Sequence, residues 1–386
     1  MERNLCKSAS PYHSGHYEVN VQYQLFASKV NTYSIGRYLM KIKGVHLPGN
    51  KDAQVKEWEI SDPDKDEVLV EIKASALCAS DLSIYYGKPL IPGFPAGTFI
   101  PGHEPCGVIH KTGSCVKNLK EGDRVAIICF VGCGFCRYCR SGEPNLCSST
   151  GVLGFTRHGG DAEFLVVPEK VCLPMPDDMS YVAGAISTDA IGNLYATMKE
   201  MHVYGDDLVA ITGLGPMGLS GVLAAKAMGA TVVAIDPVID RLNKAKEMGA
   251  DYVMNPQDGN PEQKLKEISP GGVDKAVDCS AAENAINLLL NVTRPHGVVA
   301  QIGEPGEKMI AINPSEQLIR KKLAYIGSWY FRLDEWDDIA DLIVNRIGND
   351  KAESIVSHRY PLDNDSASEA FRLFSEHKTL KVVFTP

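Results

Sequence analysis

The chain has 386 residues, too many for one small module and enough to bury a large core. Hydrophobic residues make up 44% and charged residues 23%, an ordinary globular balance that excludes disordered, collagen-like and coiled-coil proteins. The net charge is −9 with no outstanding Lys/Arg block, which argues against nucleic acid as a partner.

Residues 1–39 hold no apolar core of signal-peptide length, because Cys6, His13, His16 and Glu18 interrupt it. They fit nothing downstream and are read as an N-terminal extension of unknown role. A flexible extension is the first reading; an oligomerisation arm, or untranslated sequence ahead of Met40, are the others. From Tyr38 to about Phe164, short apolar runs such as Val68–Val70, Val125–Ile128 and Phe164–Val167 alternate with Gly and Pro. That texture predicts a β-rich module with long loops. Within it a strand over Val68–Ala76 runs into Cys78-Ala79-Ser80-Asp81, and Gly102-His103-Glu104 follows. One thiolate and one imidazole are a common start to a catalytic zinc site with an open position. Taken alone they read equally as a buried hydrophobe and a packed ring.

Cys133, Cys136, Cys139 and Cys147 follow as C-x2-C-x2-C-x7-C in a Gly-rich loop. Four thiolates at this spacing suit a closed tetrahedral zinc, which would staple a loop with little core of its own. An iron–sulfur cluster or a redox pair are the alternatives. The redox pair needs only two cysteines and a βαβ setting that is absent here. The chain has eleven cysteines, an odd and unevenly placed number that fits a secreted disulfide framework poorly.

From about Ala190 to Gly327, strand-like segments (Leu208–Ile211, Thr231–Ile235, Asp251–Met254, Ala276–Cys279, Gly297–Ile302, Leu323–Ile326) alternate with helix-like ones. Such alternation requires crossovers and hence a parallel sheet covered on both faces. The uncharged stretch Leu208–Ala225 approaches membrane-spanning length, but its four Gly and one Pro mark a strand, turn and helix instead. No membrane partner and a cytoplasmic location are therefore expected. At that turn stands Gly213-Leu214-Gly215-Pro216-Met217-Gly218. The first Gly permits the turn, the second admits a pyrophosphate, and the third lets helix pack on strand. The helix N-terminus offers free N–H groups to phosphates. Asp236 ends the next strand, 23 residues after Gly213, where a carboxylate accepts ribose hydroxyls and repels a 2′-phosphate. This favours NAD over NADP. Arg241 opposes it, as a guanidinium that could hold that phosphate or simply a surface arginine. Two amphipathic helices (Asp334–Asn345, Ala367–Phe374) and a strand at Lys381–Phe384 complete the chain.

These parts together resemble the zinc-dependent medium-chain alcohol and polyol dehydrogenases. Five motifs carry the resemblance in family order: C-x-S-D at 78–81, GHE at 102–104, the cysteine lobe, GLGPMG at 213–218, and Asp236. The fold so implied is α/β, a GroES-like β-rich catalytic domain (40–190 and 327–386) with an inserted Rossmann-fold coenzyme domain, a doubly wound parallel sheet (191–326). The resemblance further implies two zinc ions, one catalytic and one structural, and a small-molecule alcohol or ketone as substrate. It also implies a homodimer or homotetramer. Cys78 and His103 would hold the catalytic zinc, with Glu104 behind it or as an alternating ligand, and Asp81 orienting His103. The third ligand falls at Asp189; the competing reading makes it a cap on a helix over Ala190–Met201. One thiolate, one carboxylate and a neutral imidazole balance the charge of Zn2+ as two thiolates would. Ser80 would accept the alcohol proton. An acidic third ligand is commoner among polyol, sugar and secondary-alcohol members, which points to those substrates. The aromatic, Pro-rich stretch Ile84–Thr98 reads as either pocket lining or hydrophobic cover.

Two other functions compete: a zinc-free quinone or enoyl reductase on the same fold, and a non-catalytic zinc- and nucleotide-binding redox sensor. One departure from the family pattern matters. Many members carry His five residues after the first zinc cysteine, at the outer end of a proton relay, and this chain has Ser83. If proton release limits turnover, Ser83→His should raise the rate near neutral pH; an unchanged pH–rate profile counts against it.

Overall fold

The computed structural model describes residues 39–88 and 91–386. Residues 1–38, most of the N-terminal extension, lie outside the described residues. Nine described strands precede the first long helix: β1 (Leu39–His46), β2 (Gln54–Ser61), β3 (Glu67–Ala76), β4 (Glu104–Thr112), β5 (Arg124–Ile127), β6 (Phe130–Val131), β7 (Gly151–Val152), β8 (Phe164–Pro168) and β9 (Cys172–Pro174). A parallel set follows: β10 (Leu208–Thr212), β11 (Thr231–Ile235), β12 (Tyr252–Met254), β13 (Val273–Asp278), β14 (Thr293–Gln301) and β15 (Ala324–Gly327). Two more, β16 (Val356–Tyr360) and β17 (Lys381–Phe384), come after it.

The seven-stranded sheet has the order β16-β17-β3-β4-β5-β9, with β8 also on β3. β3 is buried on both faces, Val68, Val70, Ile72, Ala74 and Ala76 entering the main core while Leu69 joins Ile42 and Ile60 opposite. Register then decides what meets at the strand ends. Ala76 pairs with Glu104 on β4 and with Val383 on β17. Cys78, two residues beyond Ala76, is therefore brought beside His103 and Lys381. Strands from both sides of the parallel set complete this sheet, which is what an inserted domain requires.

The six parallel strands run β12-β11-β10-β13-β14-β15, the 3-2-1-4-5-6 order of a doubly wound dinucleotide fold. Successive residues of β10 face opposite cores, Val209 and Ile211 on one side and Ala210 on the other, as strand pleating demands. The uncharged stretch is β10, the glycine turn and a helix over Pro216–Ala227 whose residues 218–225 are all buried. No described helix is long and apolar enough to cross a membrane.

The two tail helices appear as a helical run over 333–347 and as Asn364–Ser375, capped by Asp363 Oδ1 accepting from Ser366 N at 2.9 Å. β16 was not anticipated; its alternately half-buried residues give no apolar run. Gly218 shows how tightly the glycine turn is closed: a Cβ there would lie 2.1 Å from the Gly213 carbonyl oxygen. Gly218→Ala should lower stability by about 1–3 kcal/mol through overpacking, read as a lower urea midpoint. An unchanged midpoint would mean that the turn yields freely.

Candidate active site

Donor atoms of Cys78, His103, Glu104 and Asp189 all lie within 4.8 Å of one another. His103 Nε2 is 3.8 Å from Asp189 Oδ2 and 4.0 Å from Glu104 Oε1. Asp81 sits behind them. Its Oδ1 is 3.0 Å from His103 Nδ1 and its Oδ2 accepts from Cys78 N at 2.8 Å, so one carboxylate orients both neighbours. With Nδ1 engaged there, Nε2 turns towards the other donors. Ser80 Oγ stands 3.5 Å from Nε2.

Asp189 reaches the cluster by an unusual backbone. Helices Tyr181–Ile186 and Gly192–Glu200 are joined through a π-helical turn, Ser187–Ile191, with Asp189 inside it. Asp189 is therefore not the cap of a helix beginning at Ala190. Ser180 caps the run instead, its Oγ accepting from Ala183 N at 3.0 Å. Single π turns recur at functional sites because they re-aim one side chain.

The residue that sequence reasoning missed is Lys381. It opens an otherwise apolar strand, is 2% exposed, and donates to Glu104 Oε1. A lysine beginning a buried run was the available signal. Burial opposes its charge, but Glu104 and the other acidic donors outweigh burial and hold its pKa up. Burial raises the Glu104 carboxyl, with Lys381 opposing. For His103, burial disfavours the charged ring, yet Asp81 and Asp189 prevail and push its pKa up. Burial would raise Asp189, but the His103 hydrogen bond and Lys381 keep it low.

Glu104 Oε2 is buried and has no hydrogen-bond partner. A cysteine sulfur, an imidazole and two carboxylates converging within 4.8 Å, one of the carboxylates keeping a buried oxygen without a partner, fit a zinc ion. The second cluster fits one too. The Sγ atoms of Cys133, Cys136, Cys139 and Cys147 also lie within 4.8 Å of one another, and all are free thiols. Backbone N–H groups of Phe135 and Cys136 donate to Cys133 Sγ at 3.4 Å, pulling its pKa down to about 6. Cys139 N donates likewise to Cys136 Sγ, and Cys133 N and Ser149 N to Cys147 Sγ, each at 3.4 Å.

In the cleft, Gly213 takes φ +80° and a Cβ would strike Ser280 at 2.7 Å, whereas Gly215 faces open space. Leu214 is buried, and Pro216 and Met217 form the first turn of a helix whose N-cap, Gly215, offers no side-chain acceptor. Its N–H groups are left for an anion. Asp236 is buried, accepting from Leu214 N at 2.7 Å and Val238 N at 2.8 Å, with Arg241 Nη1 3.6 Å away. It thus braces the glycine turn. In the stretch 84–98 both readings find support: Tyr85 stacks on Phe371 as hydrophobic cover, with centroids 5.6 Å apart, while Ile84, Ile91, Phe94, Pro95 and Ala96 line a small pocket with Phe155.

A metal-donor cluster at the ends of a β-rich sheet, in one chain with a dinucleotide fold, is a combination found in dehydrogenases. Residues 64–177 match the alcohol dehydrogenase GroES-like domain and residues 216–345 the zinc-binding dehydrogenase domain. The chain is 35% identical over 354 residues to the uncharacterized zinc-type alcohol dehydrogenase-like protein YphC of Escherichia coli, covering 88% of this chain and 97% of that protein. It is 32% identical to the L-threonine 3-dehydrogenase of Pyrococcus furiosus, over 86% and 94% of the two chains. The structure of alcohol dehydrogenase TADH from Thermus sp. ATN1 superposes with a TM-score of 0.80 at 28% identity, over 89% and 99%. The chain belongs to the zinc-dependent medium-chain dehydrogenase family, oxidoreductases acting on CH–OH donors.

One more carboxyl lies behind the site. Asp161 is fully buried; Ser75 Oγ donates to its Oδ1 at 2.6 Å while Oδ2 has no partner. Burial, then the charge of Asp81, push its pKa up to about 7. Its unfolded value is near 3.9. Between those values the folded chain binds the extra proton, so stability falls as pH rises through that window and stays reduced above it. Asp161→Asn should stabilise the protein by about 2–4 kcal/mol at about pH 8 and by little at about pH 4, at about 1.4 kcal/mol per pH unit. Urea titrations at both values check this, and an equal gain at both would refute it.

Proposed function

We propose that the chain is a zinc- and NAD-dependent dehydrogenase exchanging hydride between a secondary alcohol, of polyol, cyclitol or sugar-like kind, and the matching ketone. Residues 191–326 serve as the coenzyme domain, and residues 40–190 with 327–386 as the catalytic one; assembly into a dimer or tetramer belongs to the same reading. The observation that carries it is the convergence of Cys78, His103, Glu104 and Asp189 donors within 4.8 Å. Cys78, His103 and Asp189 would hold the catalytic zinc with Glu104 as alternating ligand, and the lobe cysteines a structural one. When bound, the zinc supplies Lewis acidity to a substrate oxygen and the nicotinamide supplies the hydride acceptor.

The chain's own groups do the rest. Asp81 fixes the His103 ring and the Cys78 backbone together. Lys381 holds Glu104 through Oε1, the oxygen 4.0 Å from His103 Nε2, and leaves Oε2 without a hydrogen-bond partner. Ser80 Oγ takes the alcohol proton and passes it outward. Phe155, its ring 5.4 Å from that of His103, keeps water from one side. Asp236, a carboxylate at the end of β11, supports NAD over NADP, because a 2′-phosphate would meet its charge. Arg241 lies against that carboxylate and is partly neutralised by it.

Metal analysis should give about two zinc per chain, against about one for a sensor holding only its lobe metal and none for a zinc-free reductase. NAD reduction should appear across a panel of polyols, inositols, amino sugars, secondary alcohols and threonine. Ser80→Ala should cut kcat about 100-fold, the lower range for a lost proton-transfer group, with zinc content unchanged. Silence across the panel with two zinc bound would sink the reading.

A further inference from the structure

The parallel sheet reverses its strand order between β10 and β13, and a doubly wound fold binds its ligand outside the strand ends at that reversal. Thr212 and Asp278 are the last residues of those two strands and are paired in register. Asp278 is fully buried, and its carboxylate is surrounded by donors. Its Oδ1 accepts from Thr212 Oγ1 at 2.7 Å, Ser280 Oγ at 2.5 Å and Ser280 N at 3.2 Å. Its Oδ2 accepts from Ala281 N at 2.8 Å and Gln301 Nε2 at 2.7 Å. Gln301 is fixed in turn, Nε2 also donating to Gly303 O at 2.6 Å and Oε1 accepting from Tyr325 Oη at 3.0 Å.

Both oxygens of Asp278 only accept, as a carboxylate does; an acid would need an acceptor for its own proton. Every donor to it is uncharged. No cation among the described residues pairs with it, and the three arginines of 191–326, Arg241, Arg294 and Arg320, stand against Asp236, Asp274 and Glu316 instead. The result is a hydrogen-bonded but unneutralised charge at the floor of the crevice. In so dry a place it acts on a neighbouring charge more strongly than it would in water.

Asp236 ends β11, on the other side of β10, so an adenosine ribose at Asp236 leaves the second mononucleotide half to the β13–β15 side. That side also adjoins the helix leading from the Asp189 turn. Past β15, Ser328 Oγ lies 2.8 Å from Thr197 Oγ1, and Tyr330 N donates to Asn193 Oδ1 at 3.1 Å. The turn that Asp278 holds is pressed against the fingerprint, where a Cβ on Gly213 would meet Ser280, and it keeps Ala281 at φ +58°. Only the nicotinamide ring changes charge when the coenzyme is reduced, from positive to neutral.

We propose that Asp278 makes the coenzyme crevice sensitive to oxidation state, its buried charge favouring the cationic ring of NAD+ over the neutral ring of NADH. The inference rests on the dehydrogenase reading and deepens it. A charge fixed at the strand ends helps capture the oxidised coenzyme and lets the reduced one leave.

The test uses the full zinc-loaded chain and needs no turnover: NADH is titrated by its own fluorescence and NAD+ by calorimetry, at one ionic strength. Asp278→Asn keeps the shape and removes the charge. It should raise the ratio of Kd for NAD+ to Kd for NADH about three- to tenfold, the scale of one unit charge felt across a partly dry site. Gln301→Lys leaves Asp278 in place but sets an ammonium among Asp278 Oδ2, Gly303 O and Tyr325 Oη, and should raise the ratio likewise. Thr212→Val removes one donor and keeps the charge, so both Kd values should move together, the ratio staying within about twofold of wild type. Equal weakening of both coenzymes in Asp278→Asn would reduce the residue to a brace and overturn the proposal, as would a ratio that shifts as far in Thr212→Val. Should Asp278→Asn not fold, Gln301→Lys decides alone, and an unchanged ratio there overturns the proposal. A wild-type chain that binds neither coenzyme sinks the proposal together with the dehydrogenase reading. Binding of both with a silent alcohol panel sinks that reading alone, since the ratio is still measured.

Discussion

Charge in a dry place is the condition on which the rest of this structure depends. Asp81, Glu104 and Asp161 are wholly buried, Asp189, His103 and Lys381 nearly so, and all crowd around one half-buried thiol. Isolated burial of any one of them would be costly, and only mutual pairing or a metal makes the set tolerable. The strand register does the gathering. Because Ala76 faces both Glu104 and Val383, three chain segments far apart in sequence end at one point.

The same demand explains the helical side. A regular helix from Tyr181 to Glu200 would place Asp189 by its 3.6-residue repeat alone, and the π turn re-aims it. Gly192 lets Phe331 pack closely against that turn: a Cβ there would stand 2.9 Å from the Phe331 ring. The helical run carries the donor Asp189, and the 328–333 segment packs directly against that run. The lobe leans on that segment rather than on the cluster itself.

Much of this was legible in the sequence for a physical reason: parallel strands buried on both faces must be apolar, and glycine turns must be glycine. β10, β11 and the glycine turn were visible on those grounds, the partly exposed edge strands β12 and β15 through their alternation with helix-like segments, and the four-cysteine loop through its spacing. Asp189 was visible only through family resemblance, since locally an Asp before Ala190 reads as a cap and nothing in the residues announces a π turn. Lys381 was overlooked because an apolar strand was read as uniform. Tyr330 gave no signal at all; its left-handed backbone and its contacts with residues about 140–200 positions away are visible only in the structure.

The closure of the seven-stranded sheet by β17 has a consequence for how the molecule is made. Domains fold as units during synthesis, but here the first sheet stays open at β3 until the entire parallel set has been translated. Until Lys381 leaves the ribosome, Glu104 has no ammonium to meet. The nascent β-rich half must wait with its acidic cluster hydrated, while the coenzyme domain has all of its own strands in hand. Order of birth and order of completion are therefore reversed in the two halves of this chain.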